Sequence, residues 1–254
     1  MPINNGIGTS DYTPIKQDKL KAFLNMHLRI ARGAIKNKKF PNTNESYYFI
    51  DMNAGTGSNN GYDGSPKIFM NSVHKLNIKF KAYFIEKRPE NHSQLIDNLQ
   101  CYRNGSTNGE IYPLLGDHKE WLPRIANIIN EKTVNFGLIY TDPTGKTPPF
   151  EALAEVSSLK HFLKTDILIN CPATNLKRLV GKFRKAHLSE YLEPINKKYW
   201  LIGEPFGRHC WSLLFGCNWN KYPSLESKGL YHLSSGEGQE IFHRLNYSKK
   251  ELEC

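Results

Sequence analysis

The sequence predicts an α/β protein built on a mostly parallel, doubly wound sheet, with an antiparallel edge formed by the late strands. Three observations predict it. From Tyr47 onward, short apolar runs of strand length alternate with stretches of helical period. The runs are nearly continuous in apolar residues, which suits strands covered by helices on both faces. After Tyr199 the alternation stops, and strands follow one another with no convincing helix between them.

The elements follow in order. Between Asp11 and Ile35, the residues Leu20, Phe23, Leu24, Leu28 and Ala31 recur at helical spacing. The loop 36–46 leads to Tyr47-Tyr48-Phe49-Ile50, a strand by length and residue type. Ser65-Pro66 supplies an N-cap and a first-turn proline for a helix through about Leu76. Strands are expected over Lys81–Glu86, Ile111–Leu115, Phe136–Asp142, Asp166–Cys171 and Trp211–Cys217. Helices are expected over Pro89–Leu99, His118–Ile129, Phe150–Leu163 and Asn175–Lys185. A single domain accommodates all of this: an N-terminal helical segment over residues 1–40, a core over 47–219 and a C-terminal extension over 220–254.

Composition narrows the class. With 254 residues, 39% of them hydrophobic, the chain can bury a sizeable core without disulfides or a structural metal. No apolar run approaches the roughly 18–20 residues of a membrane span, and the polar start Met1–Ser10 carries no secretory signal, so a cytoplasmic protein is expected. Cys101, Cys171, Cys210, Cys217 and Cys254 form no C-x-x-C pair and have no histidine at zinc spacing, so they read as reduced thiols and no metal is expected. The net charge of +10 suits an anionic partner, nucleic acid above all, although solubility alone also uses such charge.

The chemistry collects where strands end. Asp51 closes the first strand, and Asn53-Ala54-Gly55-Thr56-Gly57 makes the turn after it, with small residues that let a ligand lie against backbone amides. Glu86 ends the next strand, one strand-helix-strand unit later, where an acid accepts hydrogen bonds from a ribose diol. Gly116-Asp117 follows the third strand and Asp142-Pro143-Thr144-Gly145 the fourth. An acid at one strand end is an ordinary helix N-cap. Four in succession, without a phosphate-gripping G-K-[ST] loop, favour a cationic or neutral nucleoside ligand.

On these residues the chain resembles the class I S-adenosylmethionine-dependent methyltransferases, whose fold is Rossmann-like. More narrowly, it is similar to the bacterial three-Cys-motif partner proteins. Thr13-Pro14-Ile15-Lys16, Ile50–Gly57, Gly64-Ser65-Pro66, Phe84-Ile85-Glu86, Asp142–Gly145 and the strand Trp211–Cys217 leading to Asn218 carry the resemblance. Asn53 and Thr144 depart from the commoner forms F-A-G-x-G and D-P-F-G. The resemblance implies S-adenosylmethionine as cofactor. Asp51 and the turn Asn53–Gly57 would hold its amino-acid end, Glu86 its ribose, and Gly116 and Asp117 the adenine edge. It also implies a catalytic turn of Asp142, Pro143 and Thr144, similar to the D-P-P-Y turn of amino-group methyltransferases. There the carboxylate and a proline carbonyl accept hydrogen bonds from an exocyclic amine, leaving its lone pair directed at the methyl group. Gly145 cannot stack on an extruded base, so Tyr140, Phe150 or Phe206 would have to, or the substrate is not a flipped base.

The segment Asn175–Lys185 carries Lys177, Arg178, Lys182, Arg184 and Lys185 with no acid, which reads either as a solvated helix face or as phosphate contact beside the transfer site. The expected function is methylation of nucleic acid, with an amino nitrogen of adenine as the leading target. The alternatives are methylation of a small molecule or a protein, and a non-catalytic partner subunit that retains the fold.

Overall fold

Residues 13–38, 40–59, 61–104, 108–129, 131–143, 147–172, 188–205, 211–219, 225–226 and 229–246 are described by a computed structural model. The chain divides into two compact units, Met1–Ile139 and Tyr140–Cys254. Its main sheet has eight strands, among them β6, Gly137–Thr141. No helix among the described residues is long and apolar enough to cross a membrane.

In the first unit, Tyr47–Asp51 form β1, buried at every position. It pairs in parallel with β4, Phe80–Glu86, which pairs in parallel with β5, Gly109–Leu115. A hairpin of β2, Ser58–Asn59, and β3, Tyr62–Asp63, separates β1 from helix α2, Ser65–Lys75. Helix α1, Thr13–Lys36, packs on α2, while α3, Pro89–Asn104, and α4, His118–Ile128, make the crossovers between strands. Phe69 of α2 anchors the core. It stacks on Phe49 with ring centroids 4.1 Å apart and meets Phe80 and Phe84 edge-on. Such offset and T-shaped aromatic pairs add stability beyond their burial. The register then sets the site, because Glu86 lies opposite Leu115 while Asp51 lies opposite Phe84, so β4 and β5 end level and β1 stops two residues earlier.

In the second unit, β9, Trp211–Cys217, runs antiparallel to both β7, Thr165–Pro172, and β8, Tyr199–Gly203. Strand β10, Leu230–His232, pairs antiparallel with β8 at the edge of the sheet. The antiparallel character of the late strands is as the sequence predicts, with β9 inserted between its neighbours. Trp200 lies over Gly216, where an added Cβ would meet its ring at 2.7 Å, so glycine admits the indole. The expected helix Phe150–Leu163 stops early. Helix α5 covers Phe150–Ser157, and a single 3₁₀ turn follows at Lys160–Phe162. The hydroxyls of Ser157 and Ser158 bond back to the carbonyls of Ala154 and Glu155, a habit that weakens a helix interior. A short helix α6, Leu188–Leu192, precedes β8. Helix α7, Gly236–Asn246, was not expected, because only Ile241 and Leu245 mark its buried face and Gly236 and Gly238 stand in its first turn. Gly238 is required there, since a Cβ would lie 1.9 Å from the His232 carbonyl oxygen.

Lys197 is 6% exposed and donates from Nζ to the Phe162 carbonyl oxygen at 3.1 Å. Burial pulls its ammonium down to about 8, against the attraction of Asp166. Between pH 8 and the ordinary lysine range the unfolded chain therefore holds more protons than the native one, so this group's contribution to stability rises with pH across that window. In thermal melts, wild type should gain on Lys197→Met by on the order of 1–3 kcal/mol between pH 7 and pH 9.5. Parallel curves for the two proteins would mean that the ammonium is solvated.

Candidate functional site

Asp51 ends β1 with no exposed surface, and both of its oxygens are engaged. Oδ1 accepts the Asn53 N–H at 3.0 Å, and Oδ2 accepts the Ser65 hydroxyl at 2.6 Å. Ser65 is therefore not the N-cap of α2, a position held by Gly64. As the first helical residue it reaches back to Asp51 instead. The carboxylate thus ties the glycine turn to the start of α2. Gly64 must be glycine, because its Cβ would lie 2.9 Å from the Gly57 backbone, to which it also donates an N–H at 3.0 Å.

Gly55 and Gly57 both take positive φ, 61° and 74°, which only glycine adopts freely. They differ in surroundings. A Cβ on Gly57 would press on Leu95 of α3 at 3.0 Å, whereas one on Gly55 would meet nothing within 4 Å. Gly57 is thus a packing glycine, and Gly55 opens onto free space. Asn98 of α3 holds the turn by donating to the Thr56 carbonyl at 3.0 Å, and it accepts from Lys67 at 3.0 Å.

Glu86, 9% exposed at the end of β4, grips the same turn. Oε2 accepts the Gly55 N–H at 2.9 Å and Oε1 the Arg88 N–H at 2.8 Å. Its own carbonyl accepts the Gly116 N–H at 2.9 Å, so the end of β4 connects the turns after β1 and β5. Gly116 has φ of 143°, and a Cβ there would strike Trp121, whose indole N–H donates to the Leu115 carbonyl. Asp117 caps α4 by accepting the Lys119 N–H at 2.9 Å, and it pairs with Lys87 at 2.8 Å. The backbone bond, and then Lys87, pull its carboxyl down to about 2.

In the second unit, Asp142 and Pro143 follow β6. Asp142 accepts from Asn170 Nδ2 at 2.9 Å. Asn170 lies fully buried on β7, and its own Oδ1 has no hydrogen-bond partner among the described residues. Of the aromatics considered for stacking on a base, Tyr140 is 1% exposed and Phe150 is buried and stacked on Tyr191 at 5.2 Å, so both are committed to the core. Thr144, Phe206 and the basic residues Lys177, Arg178, Lys182, Arg184 and Lys185 lie outside the described residues.

Sequence reasoning missed Ser65 as the partner of Asp51, Asn98 as the brace of the turn, and Asn170 as the partner of Asp142. An asparagine inside the apolar run Asp166–Cys171 was the one legible signal among them. His92, on the first turns of α3, has a buried Nε2 without a hydrogen-bond partner among the described residues.

No protein-family model matches the sequence, and no curated protein matches it. Among solved structures, it is similar to M. jannaschii TYW2 in complex with AdoMet, at 17% identity over 82% of this chain and 76% of that one, with a TM-score of 0.41. The precorrin-6y C5,15-methyltransferase of Geobacter metallireducens GS-15 gives 13% identity over 84% and 93%, with a TM-score of 0.43. The SAM-dependent methyltransferase of Agrobacterium tumefaciens gives 10% over 82% and 62%, at 0.42.

The end of β5 carries a measurable pH dependence through Asp117. Its carboxyl titrates below the ordinary range, so its contribution is present above pH 4 and is lost as pH falls toward 2. Asp117→Ala should cost about 1 kcal/mol at pH 6 through loss of the N-cap. In thermal melts the gap from wild type should narrow below pH 4 and close only below pH 2, and a gap unchanged between pH 4 and pH 1.5 would assign the loss to packing.

Proposed function

We propose that the protein is an S-adenosylmethionine-dependent methyltransferase acting on nucleic acid, most specifically on an exocyclic amino group of adenine. The observation that carries the reading is the Glu86 carboxylate, held at a strand end by the Gly55 and Arg88 amides beside a glycine turn with open space over Gly55. Each carboxylate oxygen has a second lone pair, so Glu86 can accept from a ribose diol while keeping both backbone bonds. Gly55 lets a ligand approach the backbone, and the turn Asn53–Gly57 offers amides to an amino-acid carboxylate. Gly116 and Asp117 border the adenine. Asp51 acts indirectly, because its oxygens position the turn and Ser65.

The cofactor would supply an electrophilic methyl group on a sulfonium. The chain's own part is to accept, orient and exclude. Asp142 accepts an N–H of the incoming amine, and the Pro143 carbonyl accepts the other, which leaves the nitrogen lone pair free for an in-line displacement. Asn170 holds the Asp142 carboxylate by donating to Oδ1. The resemblance adds Thr144 to these catalytic residues, and Lys177, Arg178, Lys182, Arg184 and Lys185 would contact phosphates. The finer resemblance to three-Cys-motif partner proteins adds a protein partner to this reading.

The test is transfer of labelled methyl from S-adenosylmethionine to RNA, DNA and protein fractions, with calorimetry of cofactor binding alongside. Label in a protein or small-molecule fraction alone would replace the nucleic-acid reading, and binding without transfer to any fraction would leave a non-catalytic partner. Glu86→Ala should weaken cofactor binding ten- to hundredfold, about 1.5–3 kcal/mol for bonds to a charged group. Glu86→Gln should weaken it less, since one oxygen still accepts.

Asp142→Ala should abolish transfer and leave cofactor affinity within a few fold. Asn170→Ala should lower kcat, and its effect should shrink when it is added to Asp142→Asn, because residues acting as a unit are non-additive. Additive losses would give Asn170 a separate role.

A further inference from the structure

Helix α1 carries six cations, Lys16, Lys19, Lys21, Arg29, Arg32 and Lys36, against one acid, Asp18. Its buried residues Leu20, Phe23, Leu24, His27, Leu28 and Ala31 face the core. Lys21, Arg29, Arg32 and Lys36 are all exposed, and their spacings of eight, three and four place them on one separate arc. At 100° per residue the arc is about 80° wide, and from Lys21 to Lys36 it runs about 22 Å.

Two facts set this stripe apart from an ordinary solvated face. Surface helices usually interleave acids at i+4, which stabilise them by about 0.2–0.5 kcal/mol per pair. Here Arg29–Arg32 and Arg32–Lys36 are like-charge neighbours, which destabilise by a similar amount. Among the described residues, no ion pair takes up any of the four. In addition, the Arg32 guanidinium is fixed in place, since one of its nitrogens donates to the Leu76 carbonyl at 2.9 Å. A guanidinium anchored by one N–H keeps four more for a planar anion.

We propose that this face of α1 is a nucleic-acid docking surface on which Lys21, Arg29, Arg32 and Lys36 contact successive backbone phosphates. The proposal rests on the nucleic-acid reading above and names a surface that the reading did not use. A polyanion is the fitting partner because the cations form a line rather than a cluster. A duplex presents one charge per about 1.7 Å of axis, so phosphates lie within reach of all four along the stripe. An anionic membrane fits less well, because a helix lying on lipid inserts an apolar arc, and the apolar arc of α1 is already buried. The contact is one of position and not of sequence, since phosphates carry no base identity.

The experiment measures binding of fluorescently labelled RNA and DNA, single-stranded and duplex, by anisotropy from about 50 to 200 mM salt. The full-length chain is compared with the fourfold variant Lys21→Gln, Arg29→Gln, Arg32→Gln, Lys36→Gln. A control removes four exposed cations elsewhere, Lys75→Gln, Arg103→Gln, Arg124→Gln and Lys160→Gln. The fourfold variant should bind at least about tenfold more weakly than the control, and its log–log salt slope should flatten by about 3.6 on duplex DNA or about 2.8 on single strands. Cofactor affinity should match the control. If wild type binds and the two variants behave alike, the docking surface lies elsewhere and the nucleic-acid reading survives. If wild type binds none of the four probes, both fall, and binding to phosphatidylglycerol vesicles instead would assign the stripe to a membrane.

Discussion

The Glu86 carboxylate is the constraint on which the candidate cofactor site depends. One oxygen holds Gly55 and the other Arg88, while the backbone carbonyl of the same residue holds Gly116. Three loops are therefore referred to a single residue at the end of a buried strand. The register of β1, β4 and β5 makes this reachable, since β4 and β5 end level at Glu86 and Leu115 and β1 stops two residues short, leaving the turn after it beside Glu86. Asp51 repeats the device one strand away by joining the turn to Ser65 at the start of α2. Loops tied to strand ends by charged hydrogen bonds of this kind are preorganised, which lowers the entropy cost of ordering them around a ligand.

The second unit solves a different problem. Its sheet turns antiparallel through β9, with β10 covering the edge of β8, and α7 packs on that edge. An uncovered edge strand invites pairing with another chain, and the short terminal strand and helix act against that. This gives the C-terminal residues to 246 a role in the fold, where the sequence had offered only an extension.

What was legible in the sequence was whatever rests on a period or a strand end. Tyr47–Ile50, Phe84-Ile85-Glu86 and Trp211–Cys217 are apolar runs bounded by turn chemistry, and the structure has strands at each. What stayed hidden depends on contacts between residues far apart in the chain. Ser65 reads as a cap until Asp51, fourteen residues earlier, is seen to take its hydroxyl. Asn98 reads as a polar helix residue until Thr56 is found beneath it, forty-two positions away. Helix α7 was hidden for the opposite reason: two glycines lower its intrinsic propensity, and tertiary packing against β8 and β10 overrides them.

Among the described residues, some features lower stability and do nothing for the core. The like-charged arc of α1 is one. Another is Asn170, flanked on β7 by Ile169 and Cys171, both fully buried. Among the described residues its amide oxygen is a buried acceptor left unmatched, at a cost of about 1–3 kcal/mol relative to a satisfied one. An aliphatic residue would fill the same volume without that cost, as Ile167, Leu168 and Ile169 do along the same strand. What the aliphatic residue could not do is donate to Asp142. The position of Asn170 is therefore explained by the carboxylate it touches, and a strand whose business was packing alone would have no reason to carry it.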